Sequence, residues 1–436
     1  MLPSDIETRD ALRHLSVPAD TTKKGLSRRR FLQAAALGAG GIMAGPSLGG
    51  FGGLVPGFED HLAAASPLGP TEGVLVVITM GGGNDALNTV VPYGQPSYYT
   101  KRGSLALAAG QTLSLASGVG LNPNLAKLKA RYNAGKVAIV QGVGVMEQAN
   151  FSHFESMGYW MNGWAGGGPP STGWLGRWLD GLATTNPFAA VSIGSSVPLH
   201  LVGATRKALS LSTGGPPFGG VPDPSWDLLY KGIGDYAAAS TGMGPLGDMV
   251  AGNGQELIQT SAQANKLYGW PLPKASLTAK LNLAARLINA NLGVRVIGIT
   301  QGDFDSHSNQ PNMHPNRMLE LDAAIEEFFV KVGSAYSGRA AMLVYSEFGR
   351  YPVRNNSNGF DHGWAGNAFV VGDRVAGGLL GTTLDTANTL GNGHIQPTVD
   401  FRTMYGGIVN QWLAGDATAL LGTSATPLSL FSSGPH

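Results

Sequence analysis

Val294-Arg295-Val296-Ile297-Gly298-Ile299-Thr300 leads, after a single glutamine, into Gly302-Asp303-Phe304-Asp305-Ser306-His307. A near-continuous apolar run of this length predicts a strand covered on both faces. The polar residues then fall just past its carboxyl end, which is where the ligand crevice of an open α/β sheet lies. Two carboxylates and an imidazole at that point are a set from which a metal centre can be built. The same logic recurs downstream. Ala341-Met342-Leu343-Val344-Tyr345 precedes Ser346-Glu347-Phe348-Gly349-Arg350, and Asp361-His362-Gly363 sits in a Gly- and Asn-rich loop. Three loops are expected to share one edge of a sheet.

Working outward, Val74-Leu75-Val76-Val77-Ile78-Thr79 reads as a buried strand that ends in Met80-Gly81-Gly82-Gly83-Asn84-Asp85, and Val137-Ala138-Ile139-Val140 reads as another. Ala368-Phe369-Val370-Val371 adds one more. Helical patterns cover residues 123–133, 246–267, 277–291, 315–332 and 402–414; the fourth carries Met318, Leu321, Ile325, Phe328, Phe329 and Val332 at helical spacing. Strands alternating with helices predict an α/β fold, a mainly parallel sheet with helices on both faces. Residues 163–245, broken by Gly166-Gly167-Gly168-Pro169-Pro170 and Gly214-Gly215-Pro216-Pro217, read as a loop-rich Gly/Pro insertion.

The N-terminus carries Ser27-Arg28-Arg29-Arg30-Phe31-Leu32-Gln33, then a weakly apolar Gly/Ala-rich segment, then Ala63-Ala64-Ala65. This matches a twin-arginine export signal with cleavage near Ala65, so residues 1–65 are expected to be a signal peptide and 66–436 the mature α/β domain. The twin-arginine translocase is then a partner during export, and the product is periplasmic, envelope-bound or secreted. Removing the leader takes seven of the 29 Lys and Arg and six of the 28 Asp and Glu, leaving 22 of each. Zero formal charge gives no electrostatic footprint for nucleic acid. No later stretch reaches the roughly 18 unbroken apolar residues of a membrane span, so no transmembrane anchor is expected after cleavage. The absence of cysteine excludes disulfides, thiolate metal sites and a cysteine nucleophile.

Taken together, the arginine leader, Gly81 to Asn88, Ser152-His153-Phe154, Asp303 to Gln310, Ser346 to Arg350 and Asp361-His362-Gly363 resemble a bacterial family of exported proteins, domain of unknown function 1501. That family is similar to the alkaline phosphatase superfamily of phosphatases, sulfatases and cofactor-independent phosphoglycerate mutases. The resemblance implies an alkaline-phosphatase-like fold and a metal-dependent hydrolase or transferase acting on a phosphate ester, less so a sulfate ester, of a small molecule or glycan. It also implies a chain order for the site: Asp85 as the first acid, Ser152 as the nucleophile, Asp303 and His307 as an Asp-x-x-x-His pair, Glu347 as the next acid and His362 as the last histidine. The sequence departs at Phe348, where the superfamily places a histidine. The implied ions are zinc or manganese at the Asp303, His307 and His362 set, with a second, harder ion such as magnesium or calcium at Asp85 and Glu347.

Several residues carry two readings. Asp303 and Asp305 both lie at the strand end, and Asp305 either ligates or orients His307. Asp361 is a ligand beside His362 or a loop acceptor. Ser152 is a nucleophile or a helix cap, with Ser156 in reserve. Arg350 is an anion clamp or the partner of Glu347 in an ion pair. His153, Asn84 and Asn88 would line the pocket, while His200, His314 and His394 have no matching context. Trp160, Trp164, Trp174 and Trp178 form a sugar-stacking wall or part of the core. The competing function is a non-catalytic glycan-binding or assembly protein of the cell envelope on the same scaffold.

Overall fold

Every residue of Val74–Met80 is buried, so this first strand lies inside a sheet with both faces covered. The computed structural model describes residues 66–147, 149–164, 170–215, 224–268, 273–423 and 425–435; the expected leader, 1–65, lies outside the described residues. In chain order the strands are β1 (Val74–Met80), β2 (Val90–Val91), β3 (Leu113–Ala116), β4 (Val119–Leu121), β5 (Val137–Gly144), β6 (Ala190–Ile193), β7 (Leu209–Leu211), β8 (Val296–Gln301), β9 (Ala340–Tyr345), β10 (Gly366–Gly372), β11 (Gly378–Gly381) and β12 (Val399–Asp400). The main sheet runs β11-β5-β10-β9-β1-β8-β6-β7, with β12 also on β5, while β2, β4 and β3 form a small separate sheet.

The sheet is mostly parallel. β1 pairs in parallel with both β8 and β9, and β6 pairs in parallel with β8 and β7; only β10 runs against its neighbours β9 and β5. Alternation along β1 sorts its side chains between two cores. Val74, Val76, Ile78 and Met80 meet Leu281, Leu287, Met318, Ile325 and Phe328 from the helices Leu277–Asn289 and Gln310–Lys331. Leu75 and Val77 face the other way, toward Trp160, Trp174, Tyr405 and Ile408 of the helices His153–Asn162, Trp174–Asp180 and Phe401–Gln411.

Three details differ from the expectation. The long helix starts at Gln310, ahead of Pro315, because Pro311 sits in its first turn, where a missing N–H is tolerated. The 163–245 stretch is more than loops: β6 and β7 lie within it and extend the sheet, their brevity having hidden them among the glycines. Trp160, Trp174 and Trp178 are core residues at 1%, 0% and 4% exposure, so they build no sugar-stacking wall.

Two histidines are locked inside this core. His200, in the short turn Leu199–Leu201, has no hydrogen-bond partner on either ring nitrogen among the described residues. His314 faces Asn84 Oδ1 at 3.1 Å and Thr89 Oγ1 at 3.3 Å. Burial lowers both, His200 to about 3 and His314 to about 4. Below about pH 6.5 the unfolded chain protonates them and the folded chain does not, so stability falls with pH by roughly 1.4 kcal/mol per unit for each, until the folded values are reached. Urea midpoints measured from pH 7 to 4.5 should decline, and His200→Leu should flatten the slope. An unchanged slope would show that His200 takes up its proton while folded.

Candidate metal centre

Since β9, β1 and β8 are adjacent and parallel, their carboxyl ends open on one edge. Gly81–Asp85, Gly302–His307 and Ser346–Arg350 therefore meet there. β5 points the same way, being antiparallel to β10 as β9 is, so the chain after it also arrives at this edge and enters the helix His153–Asn162. The remaining loop is tied on by backbone: Phe360 N donates to Ser306 O (3.0 Å), Gln310 N to Asn358 O (2.9 Å), and Arg350 and His362 form an isolated antiparallel bridge. Gly359 makes that seam possible. A Cβ there would stand 2.3 Å from the carbonyl carbon and oxygen of His307.

At this edge His153, Asp305 and His362 place one donor atom each within 4.8 Å of one another. Asp305 Oδ1 is 3.5 Å from His153 Nε2, 3.6 Å from His362 Nε2 and 3.2 Å from His307 Nε2. His307 Nε2 is 2.8 Å from His362 Nε2. Behind each ring an acceptor faces Nδ1: Glu347 Oε1 at 2.7 Å for His153, Asp361 Oδ1 at 3.1 Å for His307 and the Phe151 carbonyl at 2.6 Å for His362. A carbonyl or ionised carboxylate only accepts, so these contacts put a proton on Nδ1 of His153 and of His362 and turn the Nε2 atoms of those two rings inward, while His307 Nε2, 2.8 Å from His362 Nε2, is the side of that ring able to donate to it. This carboxylate or carbonyl support behind the rings is what metal-ligating histidines carry. His153 Nε2 is buried and has no hydrogen-bond partner among the described residues. A divalent cation fits among these donors: spacings of 2.8, 3.2, 3.5 and 3.6 Å are about the edge of a small coordination polyhedron with ligand bonds near 2.0–2.2 Å.

The electrostatics of the three groups differ. The hydrogen bond that His153 donates to Glu347 raises the His153 pKa against the effect of burial, so a cation there displaces a proton. Burial pushes Asp305 up, but the hydrogen bond and charge of Arg350 hold it below the ordinary carboxylate range. Burial also lowers His362, which keeps its imidazole neutral near pH 7. Phe348, 2% exposed, closes the back of the site, with its ring 4.9 Å from both His153 and His362.

The sequence pattern of a protein family of unknown function, DUF1501, matches residues 145–413, a span that holds His153, Asp305, His307, Glu347 and His362. The chain belongs to the DUF1501 family. No curated protein sequence matches it. Solved structures that resemble it include Ps i-CgsB in complex with k-i-k-neocarrahexaose, at 10% identity over 81% of this chain and 73% of that one with a TM-score of 0.34. BT1596, a 2-O GAG sulfatase, resembles it at 9% identity over 83% of this chain and 73% of that one, with a TM-score of 0.28. Both likenesses are remote.

Within this DUF1501 chain the expected residues divide. Asp305, His307, His362 and Asp361 come together, joined by His153, which the resemblance passed over because it counts the serine before it. Asp303 turns away: its side chain is 76% exposed, with Arg317 at 3.9 Å. Glu347 is 1% exposed at its side chain and lies behind His153.

Asp85 belongs elsewhere. It caps the short helix Ala86–Thr89, pairs with the buried guanidinium of Arg102 and accepts from Gln310 Nε2 at 2.7 Å, so its charge is already met without a second ion. Arg350 is not a clamp open to anions. Its fully buried guanidinium donates to the carbonyls of Gly82, Gly83, Phe304 and Phe360 and to Asp305. Ser152 caps the helix His153–Asn162 through Glu155 N at 3.4 Å, and its side chain is exposed. Ser156 is buried and donates to the Glu347 carbonyl at 3.1 Å. Asn84 and Asn88 bond inward, to Thr89 and Leu105.

Asp85→Ala should leave Arg102 buried and unpaired, at a cost of about 3–5 kcal/mol in urea denaturation, with part of it regained in Asp85→Ala/Arg102→Met. The metal content per folded chain should not change. A variant as stable as wild type that had lost metal would make Asp85 a ligand after all.

Proposed function

We propose that this chain is an exported enzyme that binds a single divalent cation, zinc or manganese, and acts as a hydrolase or transferase on phosphate esters of a small molecule or glycan, less readily on sulfate esters. The observation that carries the reading is the convergence of His153, Asp305 and His362, with His307 beside them, on the strand-end edge of the sheet. Those residues would hold the ion, which supplies Lewis acidity toward an ester oxygen and offsets charge on the group transferred. Ser152, exposed and next to His153, is the hydroxyl proposed to attack: its oxygen bonds to phosphorus as the bond to the leaving alkoxide breaks, and water then releases the phosphate. Asp361, facing solvent and 3.1 Å from His307 Nδ1, would carry protons to and from that exchange.

A second reading, a non-catalytic envelope protein that binds glycans, draws support from Arg350, whose donors are spent on backbone carbonyls and Asp305 rather than offered to an anion. Export by the twin-arginine route belongs to either proposal. Among the described residues no helix is long and apolar enough to cross a membrane.

Elemental analysis of the purified protein should find one zinc or manganese per chain, lost in His362→Ala. Phosphate monoesters and diesters should turn over with the matching ion, while Ser152→Ala should slow turnover by a hundredfold or more at unchanged metal content. Turnover that is equal in Ser152→Ala removes the serine. A metal-free wild type that binds glycans decides for the second reading.

A further inference from the structure

Phe348 occupies the position where the resemblance calls for an imidazole, yet an imidazole reaches the spot from another part of the chain. His153 lies with its ring centroid 4.9 Å from that of Phe348 and its Nδ1 2.7 Å from Glu347 Oε1. Glu347 is built to hold it. The same Oε1 accepts Gly82 N–H at 2.8 Å, the Ser346 hydroxyl lies 2.8 Å from Oε2, and Ser346 Oγ in turn accepts Asn84 N–H at 2.9 Å. Ser156 Oγ donates to the Glu347 carbonyl at 3.1 Å, so the helix that carries His153 is pinned to the loop that carries Glu347. Oε1 meets both Gly82 N–H and His153 Nδ1, and Oε2 shares the one Ser346 hydroxyl proton with the Met80 carbonyl, 2.6 Å from Ser346 Oγ, so a side chain that is 1% exposed is held behind His153.

We propose that Glu347 is a positioning residue: it fixes His153 as the Nδ1–H tautomer, aims the Nε2 lone pair at Asp305 and His362, and so lets residue 153 supply the imidazole that position 348 lacks. This rests on the metal-site reading given above. The geometry behind it is a directional one. An unrestrained neutral imidazole prefers the Nε2–H form, which would point a proton where a ligand lone pair is needed; an ionised carboxylate on Nδ1 reverses that preference. Two loops far apart in sequence then make one ligand and its support.

The test has a metal-free arm and a metal arm. In metal-free protein labelled with 15N-histidine, at a pH high enough for His153 to be neutral, the His153 ring should report the Nδ1–H tautomer, and Glu347→Leu should move it toward Nε2–H. Zinc and manganese titrations should weaken about 10–100-fold in Glu347→Leu, with Glu347→Gln between it and wild type because an amide oxygen still accepts, though less strongly. Should the leucine variant fail to fold, the glutamine variant carries both measurements. A carboxylate that only closed the Gly82 loop would lower the denaturation midpoint and leave tautomer and affinity alone, which would overturn the proposal. An Nε2–H tautomer in the wild type would do so too. Wild-type protein that takes up neither ion overturns the metal reading, and the positioning role with it, whereas a wrong tautomer in a protein that does bind metal overturns the positioning role alone.

Discussion

One buried guanidinium holds the functional edge together. Arg350 sends Nε to the Gly83 carbonyl at 2.7 Å, Nη1 to Phe360 at 3.0 Å, and Nη2 to Phe304 at 3.2 Å, to Asp305 at 2.6 Å and to Gly82. Those acceptors belong to the loop after β1, the loop after β8 and the loop bearing His362, so a single side chain sets three backbones at once. Hydrogen bonds to a charged group contribute about 1.5–3 kcal/mol each, and a buried guanidinium left unpaired costs several. That asymmetry makes the arrangement all or none: the loops stay where the cation of Arg350 is satisfied. Asp305 is held toward the histidines for the same reason, since the atom that accepts from Arg350 is the one that faces their Nε2 nitrogens.

A second buried pair does the opposite kind of work. Asp85 with Arg102, stacked 3.7 Å over the ring of Phe360, takes a carboxylate at the sheet edge and removes it from ion chemistry. Where one guanidinium orients a ligand, the other retires one. The result is a site with histidines in the majority rather than two carboxylate-rich ones.

The fold was legible because burial on both faces writes itself into composition. β1 and β9 are buried along their whole length and β8 along its first four residues, each is followed directly by glycine or serine, and the expected run Ala341 to Tyr345 lies within β9. β6 and β7 were not legible, being four and three residues long within glycine- and proline-rich chain. In the site, the loops after β8 and β9 could be named from their place after strands, and the Asp361-His362 loop from its Gly- and Asn-rich composition. What sequence could not give was direction. Asp303 and Asp305 differ by two residues, but Asp303 adopts a left-handed backbone with φ of 69° and leaves its side chain in solvent. Nor does spacing distinguish a carboxylate that would bind an ion from one that would hold a histidine, which separates Glu347 from its expected role. The signal for His153 is an imidazole beside a cap serine after a buried strand, and spacing alone does not say which of the two neighbours turns toward the site.

Gly359 gives the edge an uneven tolerance to change. Its backbone lies so close to that of His307 that the join is a zipper without room for a tooth, while Phe154, 89% exposed, and Asp361, 63% exposed at its side chain, face solvent nearby in the chain. Altering what the pocket accepts is therefore a matter of redecorating the rim, and redesign that reaches the zipper trades the site's chemistry for its shape.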